Sequence, residues 1–202
     1  MKTVLMVQHT ESVHHANGHA GAWGDWDLTE RGREQAAIIG RWLAENGCDN
    51  TWTMFVSTLK RAWQTAEGIN LSLGITPIPR DDIREVNAGA GNGMPYDWYR
   101  ANQAPRPAVF DPDYRPFPDA ESDRDLWERL HPFYLELLTC PAENILVVSH
   151  GCALSFLQDM FMGRKVEDRG RFRMSGRSGS VSKFSINDDG SVWSEYVNRR
   201  VY

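Results

Sequence analysis

The chain has 202 residues, of which 41% are hydrophobic, 24% charged and 11% aromatic. This ordinary globular composition excludes disordered, fibrous and coiled-coil chains. Twenty-two Lys and Arg against 27 Asp and Glu leave a net charge of −5, so no global field draws the chain to nucleic acid or to an anionic membrane.

At about 100–200 residues per domain, the length predicts one domain over residues 1–202. Cys48, Cys140 and Cys152 are odd in number and form no C-x-x-C pair, which argues against a disulfide framework or a cysteine-held zinc. The apolar stretch at the N-terminus is too short for a signal peptide, and no run approaches the ~18 apolar residues of a membrane span. A cytoplasmic chain with neither a nucleic-acid nor a membrane partner is expected. Nothing in the sequence bears on oligomeric state.

In chain order, Val4–Val7 is a continuous apolar run and reads as a strand buried on both faces. A polar loop rich in His, Gly and Trp follows, from Thr10 to Asp27. Thr29 is placed to cap a helix carrying Ala36, Ile39, Trp42 and Leu43 at helical spacing and closed by Gly47. Thr53–Val56 reads as a second strand, and Thr58 is placed to cap a helix running through Ala62, Ala66 and Ile69 to Gly74. The proline-rich stretch 77–118, with the glycine-rich Asn87–Gly93 inside it, predicts an excursion over the active site carrying short helices. Leu126, Leu130, Phe133 and Leu137 mark a helix from about Ser122 to Leu138. Ile145–Val148 is another buried strand, leading to a helix from about Ala153 to Phe161. Val181–Ile186 and Val192–Val197 flank Asn187-Asp188-Asp189-Gly190, a hairpin signal. This alternation predicts an α/β three-layer sandwich: a mostly parallel central sheet flanked by helices, with a late antiparallel edge hairpin.

Ligands of such sheets bind beyond the carboxyl ends of the strands, and two segments echo each other there. Val4-Leu5-Met6-Val7-Gln8-His9-Thr10 and Ile145-Leu146-Val147-Val148-Ser149-His150-Gly151 are each four apolar residues, one polar residue, a histidine and a small residue. Neighbouring strands would bring both imidazoles into one crevice. Arg61 falls on the first turn of the helix after the second strand, where free N–H groups and the helix dipole already favour anions. Glu85 precedes the glycine-rich stretch. Two histidines, an arginine and a carboxylate suit phosphoryl transfer to a histidine: a neutral imidazole attacks, cations disperse oxyanion charge, and an acid protonates the leaving oxygen. Neither metal nor cofactor is required.

These residues resemble the histidine phosphatase superfamily, the phosphoglycerate-mutase-like fold, along nearly the whole chain. Gln8-His9-Thr10-Glu11 is similar to its opening Arg-His-Gly-Glu. Leu28-Thr29-Glu30-Arg31-Gly32-Arg33-Glu34-Gln35-Ala36 carries its Leu-Thr-x-x-Gly-x-x-Gln-Ala signature, and Ser57–Ala66 resembles its second arginine motif. Arg84-Glu85-Val86, Ala120-Glu121-Ser122 and Val147–Gly151 match three further motifs in order. The resemblance implies that His9 is the nucleophile and forms a phosphohistidine, that Arg61 and His150 bind phosphoryl oxygens, and that Glu85 donates a proton to the leaving group. Gln8, Thr10 and Gly151 complete the expected phosphate site. His15, Asn17, Arg84 and Trp23 are candidate substrate contacts.

The first motif departs from the family at two places. Gln8 replaces an arginine, removing a permanent charge and a five-donor fork, and Thr10 replaces a glycine. The family's asparagine six residues past the nucleophile falls at His15, with Asn17 two residues on. Arg84 and the basic run Arg164–Arg177 are candidate replacement cations. Cys152 sits at an expected helix start, where a thiol pKa falls, but a small buried packing residue is the favoured reading. Trp23, Trp26 and Trp98 are candidate walls for an organic leaving group. His9, His14, His15 and His19 lack the helical His-x-x-x-His with a third ligand that specifies a metal site. The expected function is a metal-independent phosphomonoester hydrolase acting on a small phosphorylated substrate, slowed by Gln8. Two alternatives remain: a non-catalytic phospholigand-binding protein, and a phosphoglycerate-mutase-type phosphotransferase, for which this chain is short.

Overall fold

The computed structural model describes residues 1–202. Six strands form one sheet: β1 (Lys2–Gln8), β2 (Thr53–Ser57), β3 (Pro77–Arg80), β4 (Asn144–Ser149), β5 (Val181–Ile186) and β6 (Val192–Arg199), in the order β3-β2-β4-β1-β5-β6. The first four in that order run parallel, and β5 and β6 are antiparallel additions. The helices are α1 (Val13–Asn17), α2 (Glu30–Glu45), α3 (Lys60–Leu73), α4 (Tyr96–Asn102), α5 (Asp123–Thr139) and α6 (Gly151–Phe161). None is long and apolar enough to cross a membrane.

The apolar runs are uninterrupted because both faces of the sheet are covered. Val4, Met6, Ile145 and Val147 enter one core with Leu126, Phe133 and Leu157 of α5 and α6. Leu5, Val7, Leu146 and Val148 enter the other with Ile39, Leu43, Ala66 and Ile69 of α2 and α3. Alternate residues of each strand thus serve opposite layers. Each large side chain so buried contributes about 1.5–3 kcal/mol. α2 and α3 approach closely because Gly40 and Gly68 face each other's helix. A Cβ at Gly40 would sit 2.5 Å from the Ile69 carbonyl oxygen, and one at Gly68 would sit 2.6 Å from the Ala36 Cβ.

Most helix ends follow the sequence signals. The Thr29 hydroxyl accepts the Gly32 N–H, Ser122 caps α5 in a capping box with Asp125, and Gly74 ends α3 with φ 66°. Thr58 does not cap α3. The N-cap is Leu59, and the Thr58 hydroxyl instead donates to Asp81 and accepts from Arg84 Nε at 2.7 Å. α6 also starts at Gly151, two residues before the expected Ala153. The stretch 77–118 opens with a strand as well as carrying short helices. β3 is an edge strand paired only with β2, so two prolines cost no ladder beyond it.

Candidate active site

Gln8 and Ser149 are partners in the β1–β4 ladder, so His9 and His150 leave the sheet side by side, with ring centroids 5.2 Å apart. His9 is held by its Nδ1, 2.8 Å from its neighbour Thr10's carbonyl oxygen. A carbonyl only accepts, so Nδ1 carries the proton and Nε2 presents its lone pair. Arg61 Nε donates to that Nε2 at 3.1 Å. The rest of the guanidinium donates to the Ala22 and Gly24 carbonyls at 2.7 and 3.0 Å, so the polar loop folds over the arginine. Lys60 and Gln64 of α3 fasten that loop through Asp27, at 2.9 and 2.7 Å.

His150 is wholly buried. Its Nε2 lies 2.7 Å from Ser57 Oγ, which already accepts the Leu59 N–H at 3.3 Å and so has its own proton free to donate. With Ser57 as the donor, the proton of a neutral His150 lies on Nδ1, a buried atom with no partner. Burial, and then the Arg61 charge, holds both His9 and His150 well below the ordinary 6.5 of an imidazole. Burial also brings Arg61 down to about 10, opposed by Glu85 and Asp25.

Glu85 reaches the crevice from the loop after β3. Its Oε1 accepts N–H groups from Val86 and Ala153 at 2.9 and 3.1 Å, and its Oε2 accepts Cys152 N–H at 3.1 Å. The carboxylate therefore closes the N-terminus of α6, where the helix dipole favours it. Its own carbonyl accepts from Trp23 Nε1 at 2.6 Å and from Arg129 Nη2 at 3.0 Å.

Gln8, His9, His15, Arg61, Glu85 and Gly151 line a crevice of about 380 Å³. Gln8 makes no side-chain hydrogen bond and lies against Gly151, where a Cβ would be 3.1 Å from Gln8 Nε2. His15 Nδ1 accepts Ser12 N–H at 3.2 Å, which turns an Nε2–H donor outward. Burial holds His14 down to about 3 and also lowers His15. His9, His14 and His15 each offer a nitrogen, all within 4.8 Å of one another. Arg61 donates into that cluster, so its electrostatics favour an anion over a cation. His19 stays apart, its Nδ1 on the Asn17 carbonyl at 2.9 Å.

Several expected contacts lie elsewhere. Thr10 is fully buried, and its N–H and hydroxyl both engage Thr65 Oγ1, at 3.1 and 3.2 Å, so it offers nothing to the crevice. Asn17 is exposed at the end of α1 and does not line the crevice. Arg84 pairs with Asp81 at 2.6 Å and covers the Trp23 ring at 5.3 Å, so both stand behind Glu85. Trp98 stacks on Phe117, and Trp26 packs against His14 and His19. Of the basic run, Arg164 and Arg169 clasp the buried Asp159, and Arg173 pairs with Asp123 at 3.3 Å. Burial raises rather than lowers the Cys152 thiol. Sequence reasoning missed Arg106, Tyr96 and Tyr99, which line the crevice from the proline-rich stretch. Arg106 has no carboxylate partner, and no motif marks it.

The model of the histidine phosphatase superfamily (branch 1) matches residues 4–199. The chain is 30% identical over 172 residues to human 6-phosphofructo-2-kinase/fructose-2,6-bisphosphatase 3, covering 83% of this chain and 31% of that protein. It is 31% identical over 171 residues to the human form 4, covering 82% and 34%. The chain thus spans about a third of the length of these relatives. Among solved structures, a mycobacterial glucosyl-3-phosphoglycerate phosphatase in complex with VO3 superposes with TM-score 0.83 at 20% identity, over 99% of this chain and 100% of that one. The alpha-ribazole phosphatase of Shigella flexneri does so with TM-score 0.83 at 22% identity, over 98% and 96%.

Proposed function

The chain belongs to the histidine phosphatase superfamily, and from that premise we propose that it is a metal-independent phosphomonoester hydrolase working through a phosphohistidine. His9 Nε2 attacks phosphorus while the bond from phosphorus to the ester oxygen breaks, and Glu85, which enters the cycle protonated, gives that oxygen its proton. Water then attacks the phosphohistidine, returns a proton to Glu85 and frees His9. Arg61 swings its Nε–H from His9 to a phosphoryl oxygen. His150 Nδ1–H and the Gln8 amide meet the other oxygens, with Gly151 marking the close approach of backbone at the head of α6. The single observation that carries this reading is the pairing of two imidazoles at neighbouring strand ends. His9 Nε2, engaged only by the Arg61 N–H, stands beside a second, buried imidazole whose Nδ1 has no partner. A labelled phosphoester, quenched without acid, is expected to leave label on wild-type protein and none on His9→Ala. Turnover by His9→Ala at the wild-type rate would overturn the assignment.

One observation favours a second reading, a phospholigand-binding protein without turnover: position 8 offers a neutral amide in place of a cation. Hydrolysis of 4-nitrophenyl phosphate in excess chelator distinguishes the two. Steady release supports the hydrolase without metal, and tight phosphate binding without release supports the binder.

A further inference from the structure

We infer that the alcohol released at this site carries a neutral aromatic ring system, seated in a side pocket on the flank of the crevice; the inference rests on the hydrolase reading above and names its substrate class. A second cavity, of about 330 Å³, adjoins the crevice and shares Val86, Tyr99 and Arg106 with it. That volume falls in the range of small-molecule pockets, about 300–1,000 Å³. An ester whose phosphoryl group lies over His9 therefore has one lined route for its other end, past Tyr99.

The far walls of this pocket are rings. Phe110 and Tyr114 face it, with Pro107 and Pro116 alongside. Tyr114 is fixed by its hydroxyl, which donates to the Ala104 carbonyl at 2.6 Å. Tyr99 is fixed from behind by Phe117, edge-on at 5.1 Å. The Cys152 thiol at this wall is held protonated by burial and adds a soft apolar surface. Flat, rigid, preset surfaces of this kind favour a planar guest over a flexible polyol.

Most of the charges around the pocket are spent on each other. Arg129 takes both oxygens of Glu121, at 2.6 and 2.8 Å, and Arg173 pairs with Asp123 while covering the Phe110 ring at 5.2 Å. Asp111 accepts the Asp113 N–H at 2.9 Å within its own turn. Among the cations only Arg106 is unpaired, and it stands at the joint with the crevice, where the phosphoryl group itself needs a cation; Asp111 is the carboxylate left without a cation. A second phosphate in the side pocket would therefore compete with the reacting phosphoryl group for Arg106, while Asp111 would repel it. A neutral ring meets neither cost.

The test uses two primary alkyl esters with alike leaving oxygens, 2-(1-naphthyl)ethyl phosphate and butyl phosphate, so that only the ring differs. Wild-type kcat/KM is expected to favour the ring-bearing ester by at least about tenfold, and Phe110→Ala to shrink that ratio toward one. Calorimetric affinity of both esters for His9→Ala, which cannot turn them over, is expected to show the same preference. Equal affinities there overturn the inference whatever the turnover result. So does a fructose 2,6-bisphosphate affinity exceeding that of the naphthyl ester. Absence of turnover by wild type with the affinity preference intact overturns the hydrolase reading and leaves the pocket assignment standing.

Discussion

Position 8 concentrates the chemical question at the level of single side chains. The Gln8 amide faces the crevice without a hydrogen-bond partner, where the family carries a guanidinium, and Arg106 is the only unpaired cation lining that crevice besides the buried Arg61. Loss of one preorganised donor costs about 10²–10³ in rate. Gln8→Arg is therefore expected to raise kcat/KM on 4-nitrophenyl phosphate by tenfold or more, up to about that range. An unchanged rate would mean that Arg106 already supplies the charge. The nucleophile makes a second prediction. His9 must be neutral to attack, and burial together with Arg61 holds it well below 6.5. Protonation therefore begins at more acid pH than for a free imidazole, and the acid limb of kcat/KM is expected below pH 6.5. Arg61→Gln removes the second-largest cause after burial, so it should move that limb toward higher pH while lowering the rate. A limb that stays put in Arg61→Gln would assign it to another group.

Packing of elements explains why the glycine in the Leu-Thr-x-x-Gly signature matters. A Cβ on Gly32 would stand 1.9 Å from the Glu11 carbonyl oxygen, two residues beyond His9. The first turn of α2 thus presses directly on the backbone that leaves β1, and Gln35 of the same helix accepts the Glu11 N–H at 3.1 Å. Backbone cannot step aside as a side chain can. Gly32→Ala is expected to cost about 1–3 kcal/mol in urea unfolding and to lower kcat by displacing His9; an unchanged midpoint would show that the helix shifts freely. Signals of this local kind were legible in the sequence. The β1 and β4 apolar runs, the cap at Thr29, the helical spacing from about Ser122, and the matched histidines at two strand ends each depend on neighbours a few residues away. β3 was hidden because Pro77 and Pro79 forbid a central strand, and only the sheet order makes it an edge. Thr58 looked like a cap, but Asp81 and Arg84, more than twenty residues on, claim its hydroxyl. Arg106 and Tyr99 could not be picked out, since their approach to His9 depends on how an irregular forty-residue stretch folds back. The basic run was readable as charge, but not as the clasp on the buried Asp159 that it partly is.

Across the whole molecule, the sheet gathers several uncharged imidazoles in one buried place, and that has a consequence for stability. His9, His14 and His150 are buried, and burial holds each below 6.5 in the folded chain, His14 at about 3. In the unfolded chain they titrate near the ordinary value. Below that value the unfolded state binds protons that the native state refuses, so stability rises with pH there. The histidine contribution is fully present above pH 6.5 and is lost as pH falls from there through the folded values. Each group removes up to about 1.4 kcal/mol per pH unit over its window. Asp27, Asp49 and Asp125 are held below their ordinary 3.8 and act below the interval from 6.5 to about 4.5, whereas burial raises Asp159, which opposes the imidazoles there as one group against three. Urea midpoints are expected to fall steadily across that interval, and His14→Gln, which deletes one proton site from the unfolded chain, should make the fall shallower. A flat midpoint between pH 6.5 and 4.5 would mean that the native crevice takes up protons after all. Saturating phosphate offers a check from the opposite side. A ligand at a hundred times its dissociation constant adds about 2.7 kcal/mol, and its gain should vanish in the same acid range if protonated imidazoles disrupt the crevice that holds it.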